Sequence, residues 1–284
     1  MKKQQIILLG AGLFILASLL VFGKTVAKKD HAPVAATPAT AAPVFSMDKY
    51  IGEAKEKLTV NQLNHINKLE NSISRGDVKE QQLKVYEQLS SFWDDSVHNH
   101  EIHVYYTSEA AKLENSEKNL TFAAQLMLED LRKEGDPAKR GWKSEQAITL
   151  FEKAIALNPN DEDLKIGLGS CYVFGKGMAG DAEQTMKGIQ QLLQVVRKDS
   201  TNMKAHLVLG IGGVISNQYD KAIERLLLVT NAEPRNLEAI SWLADAYAAK
   251  GDKPNALKWY AISKRLVDNP VYSREVDERI KMLK

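Results

Sequence analysis

With 284 residues, 44% of them apolar and 26% charged, the chain has an ordinary globular composition and room for one large domain or two small ones. Its 38 bases and 36 acids give a formal charge of +2, yet residues 1–29 hold Lys2, Lys3, Lys24, Lys28 and Lys29 and no acid, so the remainder carries 33 bases against 36 acids. A body that is slightly acidic argues against nucleic acid as the main partner. Cys171 is the single cysteine, which excludes an intrachain disulfide and leaves the compartment open.

A short basic head, residues 1–5, precedes Ile6 to Gly23, which carries no charge. A helix of that length spans roughly 27 Å, close to the hydrocarbon thickness of a bilayer, so 6–23 reads as a transmembrane helix. A cleaved signal peptide is the alternative: its apolar region is usually shorter, about 7–15 residues, but Thr25-Val26-Ala27 offers a small-x-small cleavage site. Lysines flank both ends, which weakens the positive-inside signal. The pattern of basic head, apolar run and body is similar to bacterial exported or signal-anchored proteins. That places the body beyond the inner membrane, in the periplasm. Residues 24–46 then form an Ala/Pro/Thr-rich linker whose spaced prolines favour extended backbone.

Residues 47–134 read as a helical leader. Leu63, Ile66, Leu69 and Ile73 form one stripe, and Leu83, Tyr86, Leu89 and Phe92-Trp93 form the next, with Arg75-Gly76-Asp77 as the joint between two helices. His98, His100 and His103 could be weighed as a metal site, but no carboxylate beyond Glu101 accompanies them, and a solvated helix start is the plainer reading. Tyr105–Leu113 and Leu120–Leu131 look like a helix pair, with Ala123 and Ala124 permitting close packing, completed by a helix from about Lys143 to Leu157. Between them, Glu134 to Gly141 reads as a long turn-rich loop.

From Ser144 to Asp268 one helical pattern recurs. Ala147, Phe151, Ala154 and Pro159 return as Gly188, Leu192, Val195 and Ser200, then as Ala222, Leu226, Val229 and Pro234, and more loosely as Ala256, Tyr260, Ser263 and Asp268. A second set, Leu168-Gly169 with Tyr172, Leu209-Gly210 with Gly213, and Leu243-Ala244 with Tyr247, lies between them. Two of the steps, 188 to 222 and 222 to 256, are 34 residues; the first, 147 to 188, is 41. This period with small residues at fixed offsets resembles the tetratricopeptide repeat (TPR). The resemblance implies an all-α right-handed superhelix, an α-solenoid of antiparallel helix pairs, here over residues 135–270. The small residues let the helices of a pair approach, and the bulky ones four positions on fill the space between units. Residues 271–284, with Tyr272, Val276, Ile280 and Leu283 on one stripe, suit a capping helix. The seven-residue excess falls in Phe174-Gly-Lys-Gly-Met-Ala-Gly-Asp181, whose glycines lack the spacing of a phosphate-binding loop and read as packing and loop glycines.

In the TPR family the first helix of each unit lines a concave surface that often holds a peptide. Carried over by position, that surface comprises Asp163, Ile166, Ser170 and Val173, then Lys204, Leu207, Ile211 and Val214, then Glu238, Ser241, Asp245 and Ala248. It departs from the basic clamp of chaperone-binding relatives and reads as apolar with an acidic end, suited to an apolar or weakly basic segment. No Ser/His/acid, metalloprotease or cofactor motif stands out, and Cys171 sits inside a repeat helix. The expectation is a non-enzymatic, membrane-anchored interaction scaffold without metal or cofactor. The alternatives are a self-associating structural subunit, or a soluble periplasmic protein after signal cleavage.

Overall fold

The computed structural model describes residues 45–73, 78–267 and 269–283. The basic head, the apolar run 6–23, the linker up to residue 44, the Arg75-Gly76-Asp77 joint and Asp268 lie outside the described residues. Those described are all helix and turn, with no strand among them. The leader contains α1 (Met47–Lys55), α2 (Val60–Ile73), α3 (Lys79–Ser91) and α4 (His100–Glu114). Four consecutive hairpins follow. They are α5 (Glu117–Lys133) with α6 (Pro137–Leu157), α7 (Glu162–Cys171) with α8 (Ala182–Lys198), α9 (Met203–Ile215) with α10 (Tyr219–Ala232), and α11 (Leu237–Lys250) with α12 (Lys253–Leu266). The final helix, α13 (Pro270–Met282), packs on α12.

Short polar side chains set where the first helix of each unit begins. Ser116, Asp161, Asn202, Asn236 and Asn269 each accept a hydrogen bond from a backbone N–H two or three residues on, satisfying a donor that the helix itself leaves free. The same device corrects one sequence expectation. The segment Glu134–Gly141 is not a long loop, because Asp136 Oδ1 accepts from Lys139 N at 2.8 Å and Pro137 occupies the first helical turn, where a missing N–H costs nothing. α6 therefore starts at Pro137 and pairs with α5, while α4 pairs with α3. A hairpin thus straddles residue 134, where the sequence placed the leader's end. The folded body also starts earlier than the linker's expected end, since the Phe45 ring packs 5.4 Å from Trp142 and 5.9 Å from Tyr50.

The repeat positions read from sequence form the core: Ala147, Phe151, Ala154, Gly188, Leu192, Val195, Ala222, Leu226, Val229, Ala256, Tyr260 and Ser263 are all buried. Glycine sets the approach of the helices. A Cβ on Gly169 would lie 2.6 Å from Leu192 Cγ, and one on Gly210 would lie 2.6 Å from Leu226 Cγ. Leu192 and Leu226 therefore cover a glycine of their own hairpin rather than filling the space between units. Phe151 does fill that space, with its ring against Gly167 of the next hairpin. At Gly188 the crowding includes backbone: an added Cβ would stand 2.6 Å from Tyr172 Cβ and 2.8 Å from the Gly169 carbonyl oxygen.

The seven extra residues are not one loop. α7 continues through a π-helical turn, Tyr172–Gly177, and the true turn is confined to residues 178–181, where Gly180 adopts φ +82°. Start to start, α7 to α8 takes 20 residues (162 to 182) where α9 to α10 takes 16 (203 to 219), and α8 to α9 takes 21 where α10 to α11 takes 18. Four of the extra residues thus lengthen α7 and its turn, and three lengthen α8.

The leader is tied to the array by buried charge. Lys143 of α6, only 6% exposed, places Nζ 3.1 Å from Glu101 Oε1 of α4 and 2.7 Å from Glu134 Oε2, and Lys139 Nζ reaches Glu101 Oε2 at 2.9 Å. Lys139 also sits 4.7 Å above the Tyr50 ring. Burial works against ionisation of Glu101, but the hydrogen bonds from Lys139 and Lys143 outweigh it and hold the carboxyl below its usual range. Glu134 is lowered for the same balance of reasons, with Lys143 as its chief partner.

This packing sets the cost of single substitutions. Gly188→Ala should cost about 1–3 kcal/mol, because the Gly169 carbonyl cannot move aside. Gly141→Ala, whose Cβ would meet nothing within 4 Å, should instead gain about 0.5–1 kcal/mol. Thermal melting followed by circular dichroism checks both, and equal effects would refute the close approach at Gly188. Lys143→Met leaves Glu134 without its cation and Glu101 with Lys139 alone, and should cost about 2–3 kcal/mol at neutral pH. In the wild type, carboxyls lowered in the folded state give stability that is present at neutral pH. It is lost as pH falls from about 4.3, the ordinary glutamate value, through the lower folded-state values. Unfolding midpoints of wild type and variant should therefore converge in acid, and a difference independent of pH would disprove the assignment.

Candidate interaction surface

The first helices of the units lie side by side in the order α5, α7, α9, α11, each touching the next. This arrangement brings the twelve positions inferred from the repeat onto one face, but it closes over several of them. Ile166, Ser170, Val173 and Ile211 are buried, and Ser170 Oγ turns back to the Ile166 carbonyl at 2.8 Å. These four positions are corrected from partner contacts to core: neighbouring first helices approach closely enough that their facing side chains fill the gap themselves. Leu207 packs against the same core, as does Trp242 from α11.

The acidic end is also occupied from within. Asp163 pairs with Lys204 at 3.0 Å. Asp245 accepts from Arg279 of α13 at 2.7 and 2.9 Å and from the Tyr260 hydroxyl at 2.6 Å. Burial and the hydrogen bond to Asp245 both push the Tyr260 hydroxyl to a higher pKa, so it stays a donor. Ser241 Oγ meets the Tyr272 hydroxyl at 2.8 Å. Glu238 is bound by Arg132, whose guanidinium also sits 4.7 Å above the Phe174 ring. Arg132 reaches from the end of α5 to the start of α11 and bridges the face. Nothing in the repeat pattern announces it, because it lies outside the repeated segment. Leu207, Val214 and Ala248 remain partly open beside these paired charges.

The chemistry-bearing side chains do not converge. His98 Nδ1 contacts the Asp94 carbonyl at 2.9 Å, His100 Nε2 contacts Asp130 Oδ1 at 3.1 Å, and His103 Nδ1 contacts Ser90 Oγ at 3.0 Å. Among the described residues no group of three or more His, Cys, Asp or Glu is placed to hold a metal ion. The Cys171 thiol is fully buried, which pushes its pKa up and removes it from nucleophilic use.

No family model matches the chain, and no curated protein matches it. Among solved structures it is similar to TTC0263, a thermophilic TPR protein of Thermus thermophilus, with 18% identity and a TM-score of 0.51, over 72% of this chain and 98% of that one. It is also similar to MamA, from residue 41 to its end, of Desulfovibrio magneticus, with 21% identity and a TM-score of 0.47 over 67% and 96% of the two chains. A third is YrrB, a TPR protein with an unusual peptide-binding site, with 17% identity and a TM-score of 0.44 over 74% and 97%. At 18% identity the likeness to TTC0263 speaks for the fold alone, and the fold is that of a TPR solenoid.

Proposed function

We infer that the chain is a non-enzymatic protein-interaction scaffold, anchored in the bacterial inner membrane through residues 6–23 with its helical array in the periplasm. The observation that carries the reading is the array itself. Stacked hairpins hold their charges against one another and leave an apolar strip, Leu207, Val214 and Ala248, along the first helices. Such a strip suits an apolar segment of another protein laid along it. The expectation of a basic segment loses its support, because Asp163, Glu238 and Asp245 already have cations. Anchoring rests on the uncharged run from Ile6 to Gly23 behind Lys2 and Lys3. Among the described residues no helix is long and apolar enough to cross a membrane, so that run is the anchor this reading requires.

Co-purification from cross-linked native membranes should recover a specific partner. Leu207→Asp with Val214→Asp should remove it while the helical signal persists. Ile211 is unsuitable as a probe because it is fully buried. Retention of the partner by the double variant would defeat the apolar-strip reading. Protease added to spheroplasts should degrade the body, and full protection would place it on the other side of the membrane.

A further inference from the structure

The array has a second concavity, between hairpin α7–α8 and hairpin α9–α10. One stretch of about 430 Å³ lies between Gly180 at the α7–α8 turn and Ser216-Asn217 at the α9–α10 turn. A second of about 310 Å³ continues between α8 and α10. Met186, Ile189 and Gln218 line both, so the two stretches make one furrow. It opens where the repeat departs from its period: the longer α7–α8 turn and the longer α8 both border it.

The two walls of the furrow differ in chemistry. The α8 wall is apolar, with Met186 44% exposed and Ile189 and Leu193 half-buried. The α10 wall carries Lys221 and Arg225, and among the described residues no carboxylate lines either stretch. Lys221 Nζ donates to Gln218 Oε1 at 3.0 Å, and among the described residues neither cation meets a carboxylate. Arg225 is also held in place. Its Nη1 lies 3.1 Å from His206 Nδ1, and a guanidinium can only donate, so Nδ1 accepts and the imidazole proton sits on Nε2. From there it donates to the Ser200 carbonyl at 3.0 Å. His206 is 3% exposed with both ring nitrogens engaged, so it acts as a fixed post for one edge of the guanidinium. The other N–H groups of Arg225 stay available.

We propose that this furrow is a docking site for an acidic amphipathic segment of a partner protein. An apolar side chain lies between Met186 and Leu193, and a neighbouring Asp or Glu pairs with Arg225 and Lys221. Charge complementarity selects the occupant: an apolar floor beside two cations with no carboxylate favours a segment that brings its own, and arginine takes a carboxylate bidentately. Asn217 and Gln218, on the turn that borders the furrow, carry amides that can hydrogen-bond a peptide backbone, and the turn has nothing to offer an acyl chain. This proposal rests on the scaffold reading and adds a second surface, separate from the strip at Leu207 and Val214.

The test is fluorescence anisotropy on the full chain in lipid nanodiscs. The probes are a labelled Leu/Glu amphipathic peptide and its Leu/Gln and Leu/Lys counterparts, with dodecanoate as a competitor. The Leu/Glu peptide should bind, the Leu/Lys peptide should not, and added salt should weaken binding. Arg225→Gln should weaken it roughly tenfold or more. Because that change also removes a donor from His206, Lys221→Gln and Met186→Asp, both at exposed positions, serve as independent variants and should weaken binding too, with circular dichroism unchanged. Absence of Leu/Glu binding, or equal affinity for the three variants and wild type, overturns the proposal. Displacement of the peptide by dodecanoate makes the furrow an acyl site and overturns it as well. A chain that co-purifies its partner through Leu207 and Val214 but binds no peptide here loses the furrow and keeps the scaffold.

Discussion

The contact of Leu192 with Gly169, repeated by Leu226 with Gly210, fixes how far apart the two helices of a hairpin stand. The separation leaves no room for a Cβ at either glycine, so in these two hairpins the helices lie against each other without a side chain between them. The remaining apolar face of each hairpin has to be covered by the next. Phe151 does this between α6 and α7, with its ring over Gly167. Neighbouring first helices also touch. The burial of Ile166, Val173 and Ile211 then follows from the spacing rather than from any special feature of those residues.

The hairpin positions were legible because a small residue followed four positions later by a bulky one is a local pattern, and it needs only the 3.6-residue helical period to place both on one face. The caps Asp161, Asn202 and Asn236 keep the register of that pattern, at intervals of 41 and 34 residues. Two things were not legible. Gly135, Pro137 and Gly141 in close succession look like a loop, yet an aspartate cap and a proline in the first turn start a helix just as well, so the unit boundary was misplaced. The tie between leader and array joins Lys143 to Glu101 across 42 residues, outside any repeat, and no periodicity can reveal a pair of that kind.

Charge along the inner face follows the repeat. Asp163 and Lys204 each stand one residue past the start of α7 and α9, so they join equivalent positions of adjacent first helices, while Asp245 of α11 pairs with Arg279 of the final helix α13. A periodic array can neutralise itself in this way because each helix meets a copy of the same geometry, and opposite charges one period apart are brought together automatically. The pairs are exposed or half-exposed, so each adds little to stability. Their consequence is for recognition: a partner would have to displace an internal cation to reach Asp245, which disfavours a basic ligand on that face.

The same reasoning explains why the furrow between α8 and α10 differs. Its borders include the residues that lengthen one unit by seven, so the facing surfaces there are not equivalent positions one period apart. Lys221 lines the furrow together with Met186 and Ile189. Asp220, its neighbour on α10, is already taken by Lys250 from the next unit, which does keep the period. At this one place two cations share a furrow with an apolar wall, and among the described residues no carboxylate lines it. An insertion in a solenoid therefore does more than lengthen a turn. It reshapes the wall opposite Lys221 and Arg225, and the furrow so formed is the surface that suits an acidic amphipathic segment.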